Sequence, residues 1–117
     1  ELVRILSAEG EAALRAAGIR WTPVEQARQT NFVYGEIPGL KREGGSTWQS
    51  VVTGRSLETD YLNGEIVLLG RLHSVPTPAN ATMLDIAART AAERRQPGWI
   101  TPEECLALVA RRASSTT

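Results

Sequence analysis

The residues whose types and spacing can do chemistry lie between Gly45 and Asn80. This stretch holds Ser46, Glu58, Asp60, Asn63, His73 and Asn80. Glu58, Asp60 and Asn63 interrupt what otherwise reads as a fully apolar, buried helix. An ionised carboxylate is rarely buried without partners. Such a helix either lies half in solvent or turns its polar side to a ligand or another domain. Ser46 stands at a predicted helix start, where a hydroxyl serves as a plain cap and where backbone amides also favour a bound carboxylate. Glu58 falls in a first helical turn, where a negative charge suits the helix dipole without any further role. Residue type alone leaves both readings open for both residues.

Several kinds of chemistry find no support. Glu58 and Asp60 are two apart, so they point to different sides of a helix and form no acid–base pair. Ser46, His73 and Asp60 make a nucleophile triad only on paper, since no strand–serine–helix elbow carries the serine. One histidine and one distant cysteine are no metal ligand set. His73 ends a predicted helix, where a protonated imidazole suits the dipole. No glycine-rich phosphate fingerprint of the dinucleotide or Walker type occurs, so a nucleotide cofactor would be held mainly by another domain.

Thirteen basic and thirteen acidic residues balance in 117. Zero net charge argues against a nucleic acid or an anionic membrane as partner. Cys105 is the single cysteine. It excludes an internal disulfide and fits a reducing, cytoplasmic setting. Its place on a predicted helix suggests a buried, inert thiol. No apolar run approaches the roughly 20 residues of a membrane span. The chain opens at Glu1 in residues that already read as helix, so a piece of a larger polypeptide is expected. Twelve of the thirteen basic residues are arginine, Lys41 being the exception, and alanine is abundant. That usage suggests a GC-rich bacterial genome.

The elements that must position these residues read as helices throughout, with no convincing strand. Leu2, Ile5, Leu6, Glu9, Ala12, Ala13 and Ala16 recur at helical spacing, and Gly18 supplies a stop. Ser7 is an alternative cap for a later start. Thr22-Pro23-Val24-Glu25 and Thr101-Pro102-Glu103-Glu104 are capping boxes with proline at the first helical position. Thr77-Pro78 is a third such start, with Asn80 where the glutamate would be. Residues 31–45 read as a long glycine-rich loop. Helices are expected from Ser46 through Val52, from Ser56 to about His73, from Thr77 to about Arg95, and from Thr101 to Arg112, with Ala113 to Thr117 frayed. On the second of these, Leu57, Tyr61, Gly64, Leu68 and Leu72 form one apolar stripe. Leu62, Ile66 and Leu69 form its neighbour, and Gly64 offers a point of close backbone approach. Met83, Leu84, Ile86 and Ala87 mark the packing side of the next helix.

Arg55-Ser56-Leu57-Glu58-Thr59-Asp60-Tyr61-Leu62-Asn63-Gly64, followed by Val75-Pro76-Thr77-Pro78-Ala79-Asn80, resembles the C-terminal domain of ketopantoate reductase. That family carries a serine-containing helix start, then R-x-T-E-I-D-x-L-N-G, then G-V-P-T-P-x-N. The likeness covers Gly45 to Leu84 closely and Glu9 to Gly18 less diagnostically. The resemblance implies an all-α, compact helical bundle of the phosphogluconate dehydrogenase C-terminal type. Residues 1–117 would be the C-terminal substrate and dimerisation domain, its N-terminal Rossmann domain lying outside the chain. It implies hydride transfer from NADPH, bound mainly by that missing domain, to a small 2-oxo acid in the cleft between the domains. Ser46 falls on the family serine that hydrogen-bonds substrate, and Glu58 on the family glutamate near the cofactor ribose. An ionised glutamate accepts ribose hydroxyls well. The family lysine that protonates the alkoxide lies upstream of Glu1, so no catalytic residue is expected here and the fragment should be inactive alone. Thr47, Ser50 and Leu57 replace the family's methionine, aspartate and threonine, which makes a related 2-oxo acid an alternative to ketopantoate. Apolar groups around Leu57, Tyr61 and Leu68, uncovered without the first domain, suggest a homo-oligomer. The alternative from another class is a stand-alone helical interaction module without catalysis.

Overall fold

A computed structural model describes residues 1–22, Pro38 and residues 59–115, excepting the side chains of residues 59–61. The described residues form four helices and no strand: α1 Leu2–Ala16, α2 Thr59–Leu72, α3 Pro78–Ala92 and α4 Pro102–Ser115. The all-α expectation holds. The expected helix from Ser46, the capping box at Pro23 to Glu25 and the loop over 31–45 lie outside the described residues, apart from Pro38 in that loop.

The central element is α3, which packs against each of the other three helices. Also in contact are α1 with α2 and α1 with α4. Small side chains permit this. Ala13 of α1 and Ala79 of α3 are fully buried, with Val67 of α2, Ile86 of α3, and Cys105 and Val109 of α4 nearly so. Thr82 and Thr90 are also buried. Each hydroxyl donates to the carbonyl one turn back, Thr82 to Pro78 at 2.8 Å and Thr90 to Ile86 at 2.7 Å. A buried hydroxyl left without a partner would be costly.

Three helices end in one device. A residue in the left-handed region follows the cap, and the next amide reaches back five residues to a carbonyl. At α1 the left-handed residue is Gly18, φ 71°, and Ile19 N–H donates to Leu14 O at 2.9 Å. At α2 it is Ser74, φ 57°, with Val75 N–H to Gly70 O at 2.8 Å. At α3 it is Arg94, φ 50°, with Arg95 N–H to Thr90 O at 3.0 Å. The Gly18 stop is as expected. The other two carry a side chain where glycine is favoured, which is why sequence placed the end of α3 three residues late.

Two further expectations are corrected. The face of α2 holding Leu68 and Leu72 does not pack. These residues are 49% and 68% exposed, and Leu62 is 61% exposed. The inward side runs through Asn63, Ile66, Val67 and Gly70. A close approach on α2 is found at Gly70. A Cβ there would fall 2.6 Å from Val75 O and 2.7 Å from Thr77 Cγ2. Finally, α4 does not fray after Arg112. Ser114 Oγ donates to Ala110 O and Ser115 Oγ to Arg112 O, extending the helix to Ser115. In addition, Ala16 at the end of α1 faces solvent.

Candidate functional site

Backbone amides at the start of a helix need acceptors, and α3 meets that need from another helix. Pro78 at its first position has no N–H. Ala81 N–H donates to Thr77 O at 3.0 Å. The two amides between them, of Ala79 and Asn80, donate to the Glu9 carboxylate on α1, at 2.7 Å to Oε1 and 2.8 Å to Oε2. Glu9 thus does the work of an N-cap side chain from a distance of 70 residues in sequence. Its charge also suits the positive end of the helix dipole.

This corrects the reading of Thr77 as a side-chain cap. Thr77 occupies the N-cap position but makes no side-chain cap bond. Its buried side chain lies over Gly70 instead. By contrast, the box at Thr101 forms as expected. Thr101 N–H donates to Glu104 Oε2 at 2.7 Å, and Glu104 N–H donates to Thr101 Oγ1 at 3.2 Å. The Thr101 amide, and then its hydroxyl, hold the Glu104 carboxyl below its ordinary pKa.

Asn80 extends the Glu9 contact into a network. Its Nδ2 donates to Glu9 Oε2 at 2.8 Å and to Leu6 O at 3.2 Å. Its Oδ1 accepts from Asn63 Nδ2 of α2 at 2.9 Å. Both Nδ2 protons and the carbonyl oxygen of Asn80 are engaged, and the residue is only 4% exposed. These motif residues therefore tie α1, α2 and α3 together, and the Asn80 amide is spent on doing so. Among the described residues, no buried side-chain nitrogen or oxygen lacks a partner.

Near the far end of α3, Trp99 Nε1 donates to Thr90 Oγ1 at 3.0 Å. The guanidiniums of Arg89 and Arg95 each lie 5.3 Å from the Trp99 ring centroid. Glu93 pairs with both arginines, at 3.6 Å and 2.8 Å. The cluster pins residues 93–99 back on α3. Arg112 of α4 pairs with Asp85 of α3 and donates to Thr82 Oγ1 at 3.5 Å.

Ser46 and Glu58, the substrate and cofactor positions expected from sequence, lie outside the described residues, as do the side chain of Asp60 and Lys41. The triad once drawn from Ser46, His73 and Asp60 is therefore described only at His73, an exposed residue at the end of α2. Cys105 is buried, and burial, with the neighbouring Glu104 charge, pushes its thiol pKa up. It has the inert setting expected of it. Among the described residues no three histidines, cysteines or carboxylates gather to hold a metal ion. No described helix is long and apolar enough to cross a membrane.

The family model described as "Ketopantoate reductase PanE/ApbA C terminal" matches residues 1–91. The chain belongs to this family. Its members are oxidoreductases of the ketopantoate reductase type. No curated protein and no solved structure matches the chain. The family match includes α1, α2 and all but the last residue of α3, so it contains the whole Glu9–Asn80–Asn63 network. Helix α4 and Trp99 itself fall beyond it, while Arg89 and Thr90, which hold Trp99, lie within it.

The role of Glu9 was missed in the sequence, where it counted only as one member of a helical stripe. Its signal was present. The third threonine–proline start lacks the glutamate that completes a capping box, so its amides needed another acceptor.

Proposed function

We propose that this chain is the helical half of an NADPH-dependent 2-oxo acid reductase, acting on ketopantoate or a related 2-oxo acid in pantothenate biosynthesis. The observation that carries the reading is the family match over residues 1–91, a range within which Ser46 and Glu58 fall. The cofactor would sit mainly on an N-terminal Rossmann domain of the same parent polypeptide, in the cytoplasm. No glycine-rich phosphate loop occurs in this chain, and its described buried donors are already engaged. Of the two positions that the family resemblance singles out, Glu58 is the one whose chemistry fits a ribose.

Bound NADPH supplies a hydride to the 2-oxo carbon. Ser46 donates its hydroxyl proton to a substrate oxygen and so holds the acid in place. Glu58 accepts ribose hydroxyls and fixes the cofactor's angle to the substrate, which matters because small misplacements of reacting groups slow a reaction strongly. The proton for the product alkoxide comes from a lysine outside this chain. Outward apolar residues of α2 would support association into a homo-oligomer.

The test is nicotinamide absorbance during mixing of NADPH and ketopantoate with two proteins. The chain with its proposed Rossmann domain should oxidise NADPH, and the chain alone should not. Ser46→Ala should weaken transition-state binding by roughly 1–3 kcal/mol. Glu58→Ala should raise the NADPH KM. Unchanged kinetic constants with a lowered Tm in both variants would reduce both residues to helix caps and overturn the site. Turnover by the chain alone would overturn the half-site reading.

A further inference from the structure

Helices α1, α2 and α3 are tied by polar bonds that run from helix to helix, through Glu9, Asn80 and Asn63. Helix α4 contributes no residue to that network. It lies against α3 and α1, and the residues it buries are small, Cys105 and Val109. Leu106 and Leu108 are half-buried, and Ala107 and Ala110 face solvent. Its two ends are closed by bonds within the segment, the Thr101–Glu104 box at one and the Ser115 hydroxyl on the Arg112 carbonyl at the other. A helix that carries its own caps and buries little belongs to the low-stability end of a fold, where parts open without the whole.

The corner between α3 and α4 is built more firmly. Arg94, φ 50°, and Gly98, φ 86°, turn the chain there. Trp99 follows, half-buried, and its Nε1 donates to Thr90 Oγ1 at 3.0 Å. Thr90 is buried and spends its own proton on Ile86 O at 2.7 Å, so its oxygen is left to accept. Arg89 of α3 and Arg95 of the corner each place a guanidinium 5.3 Å from the Trp99 ring centroid, and Glu93 pairs with both. The indole is therefore bonded at its edge and attracts two cations through its ring, a contact that strengthens as water is excluded. Farther along α4, Arg112 pairs with Asp85, whose side chain is exposed. Exposed ion pairs contribute little.

We infer that α4 is a hinged strap, which opens and recloses as one unit on the frame of α1 to α3, and that Trp99 is the pin that holds it shut. The family match ends at residue 91, so the strap and its pin lie beyond the match while Arg89 and Thr90, which receive the pin, lie within it. Opening carries Cys105 from its buried setting into solvent. As the single cysteine of the chain, Cys105 reports on α4 alone.

The test is labelling of Cys105 in the full chain by the disulfide reagent dithiobis-nitrobenzoate. Where reclosing is faster than reaction, the rate follows the open fraction. In the unsubstituted chain the rate should rise with urea along a slope well below that of global unfolding, because the slope follows the surface exposed. A slope equal to the global one would mean that α4 opens only with the whole domain, and would overturn the inference. Trp99→Ala should speed labelling by about tenfold. Trp99→Phe, which keeps a ring for the two arginines but has no N–H, should speed it by about threefold. Amide exchange in Trp99→Ala should quicken in α4 while α1 and α3 keep their protection. Unchanged labelling in both variants, or equal acceleration of exchange in α1, α3 and α4, would also overturn it. If Trp99→Ala does not fold, Trp99→Phe and the urea slope of the unsubstituted chain decide.

Discussion

Replacing Glu9 by alanine should be among the most damaging single changes in this fold, and its cost can be worked from the contacts. The carboxylate accepts from two backbone amides, those of Ala79 and Asn80. Ala79 is fully buried and Asn80 nearly so. Leaving a buried donor without an acceptor costs about 1–3 kcal/mol. Removing a negative charge from a helix N-terminus costs about 0.5–1 kcal/mol more. One Asn80 Nδ2 proton also loses its acceptor, while the other keeps Leu6 O, and this adds to the loss. The expected loss is about 3–5 kcal/mol, a large part of the 5–15 kcal/mol that a domain normally has. With a urea slope near 2 kcal/mol per molar, the midpoint should fall by about 2 M with the slope unchanged. Glu9→Gln should fall between, because its NH2 must oppose one of the donors. Thr101→Ala is the comparison. It removes an exposed cap and should cost about 1 kcal/mol. If Glu9→Ala costs no more than Thr101→Ala in the same urea titration, water takes the place of the carboxylate and the argument for a long-range cap fails.

Gly70→Ala should lower stability by about 1–3 kcal/mol, because its Cβ meets the Val75 carbonyl and the Thr77 methyl; a thermal melt equal to the parent's would show that the 75–77 turn yields freely. Ser74→Gly should raise stability by about 0.5–1 kcal/mol by relieving the left-handed conformation of a residue with a side chain, and a lowered Tm would contradict that. The Glu104 carboxyl should titrate below the ordinary glutamate value, chiefly because the Thr101 amide donates to it. A depressed folded pKa gives a contribution that is complete above the unfolded pKa and lost as pH falls through the folded one. Carboxyl NMR titration in the folded chain and in Thr101→Ala checks this, and equal pKa values in the two would refute the contribution of the Thr101 hydroxyl, the second cause of the shift.

How much of this was legible in the sequence differs by the range of the interaction. Local devices were readable. The box at Thr101 and the stop at Gly18 depend on residues within one turn, and both form as their spacing predicts. The all-α class and the family also follow from local periodicity and motif order. What could not be read was which face of α2 packs. Its leucines lie on more than one side, and the choice is made by Asn63 and Gly70, neither of them strongly apolar. Leu68 and Leu72 belong to a good stripe by spacing and yet face solvent. The end of α3 was misplaced for a related reason. Arg94 adopts a backbone conformation that its type does not advertise.

The same contrast bears on the motif that identifies the family. Its residues sort into two groups that sequence alone does not separate. Asn63 and Asn80 are spent on each other, on Glu9 and on the Leu6 carbonyl, and so they build the frame. Ser46 and Glu58 belong to the same motif order and lie outside the described residues. A buried polar network that is fully satisfied tends to fix one arrangement of its helices. Of the polar residues that first set this chain apart from a plain helical bundle, Asn63 and Asn80 are thus spent on construction, because their hydrogen bonds run from helix to helix.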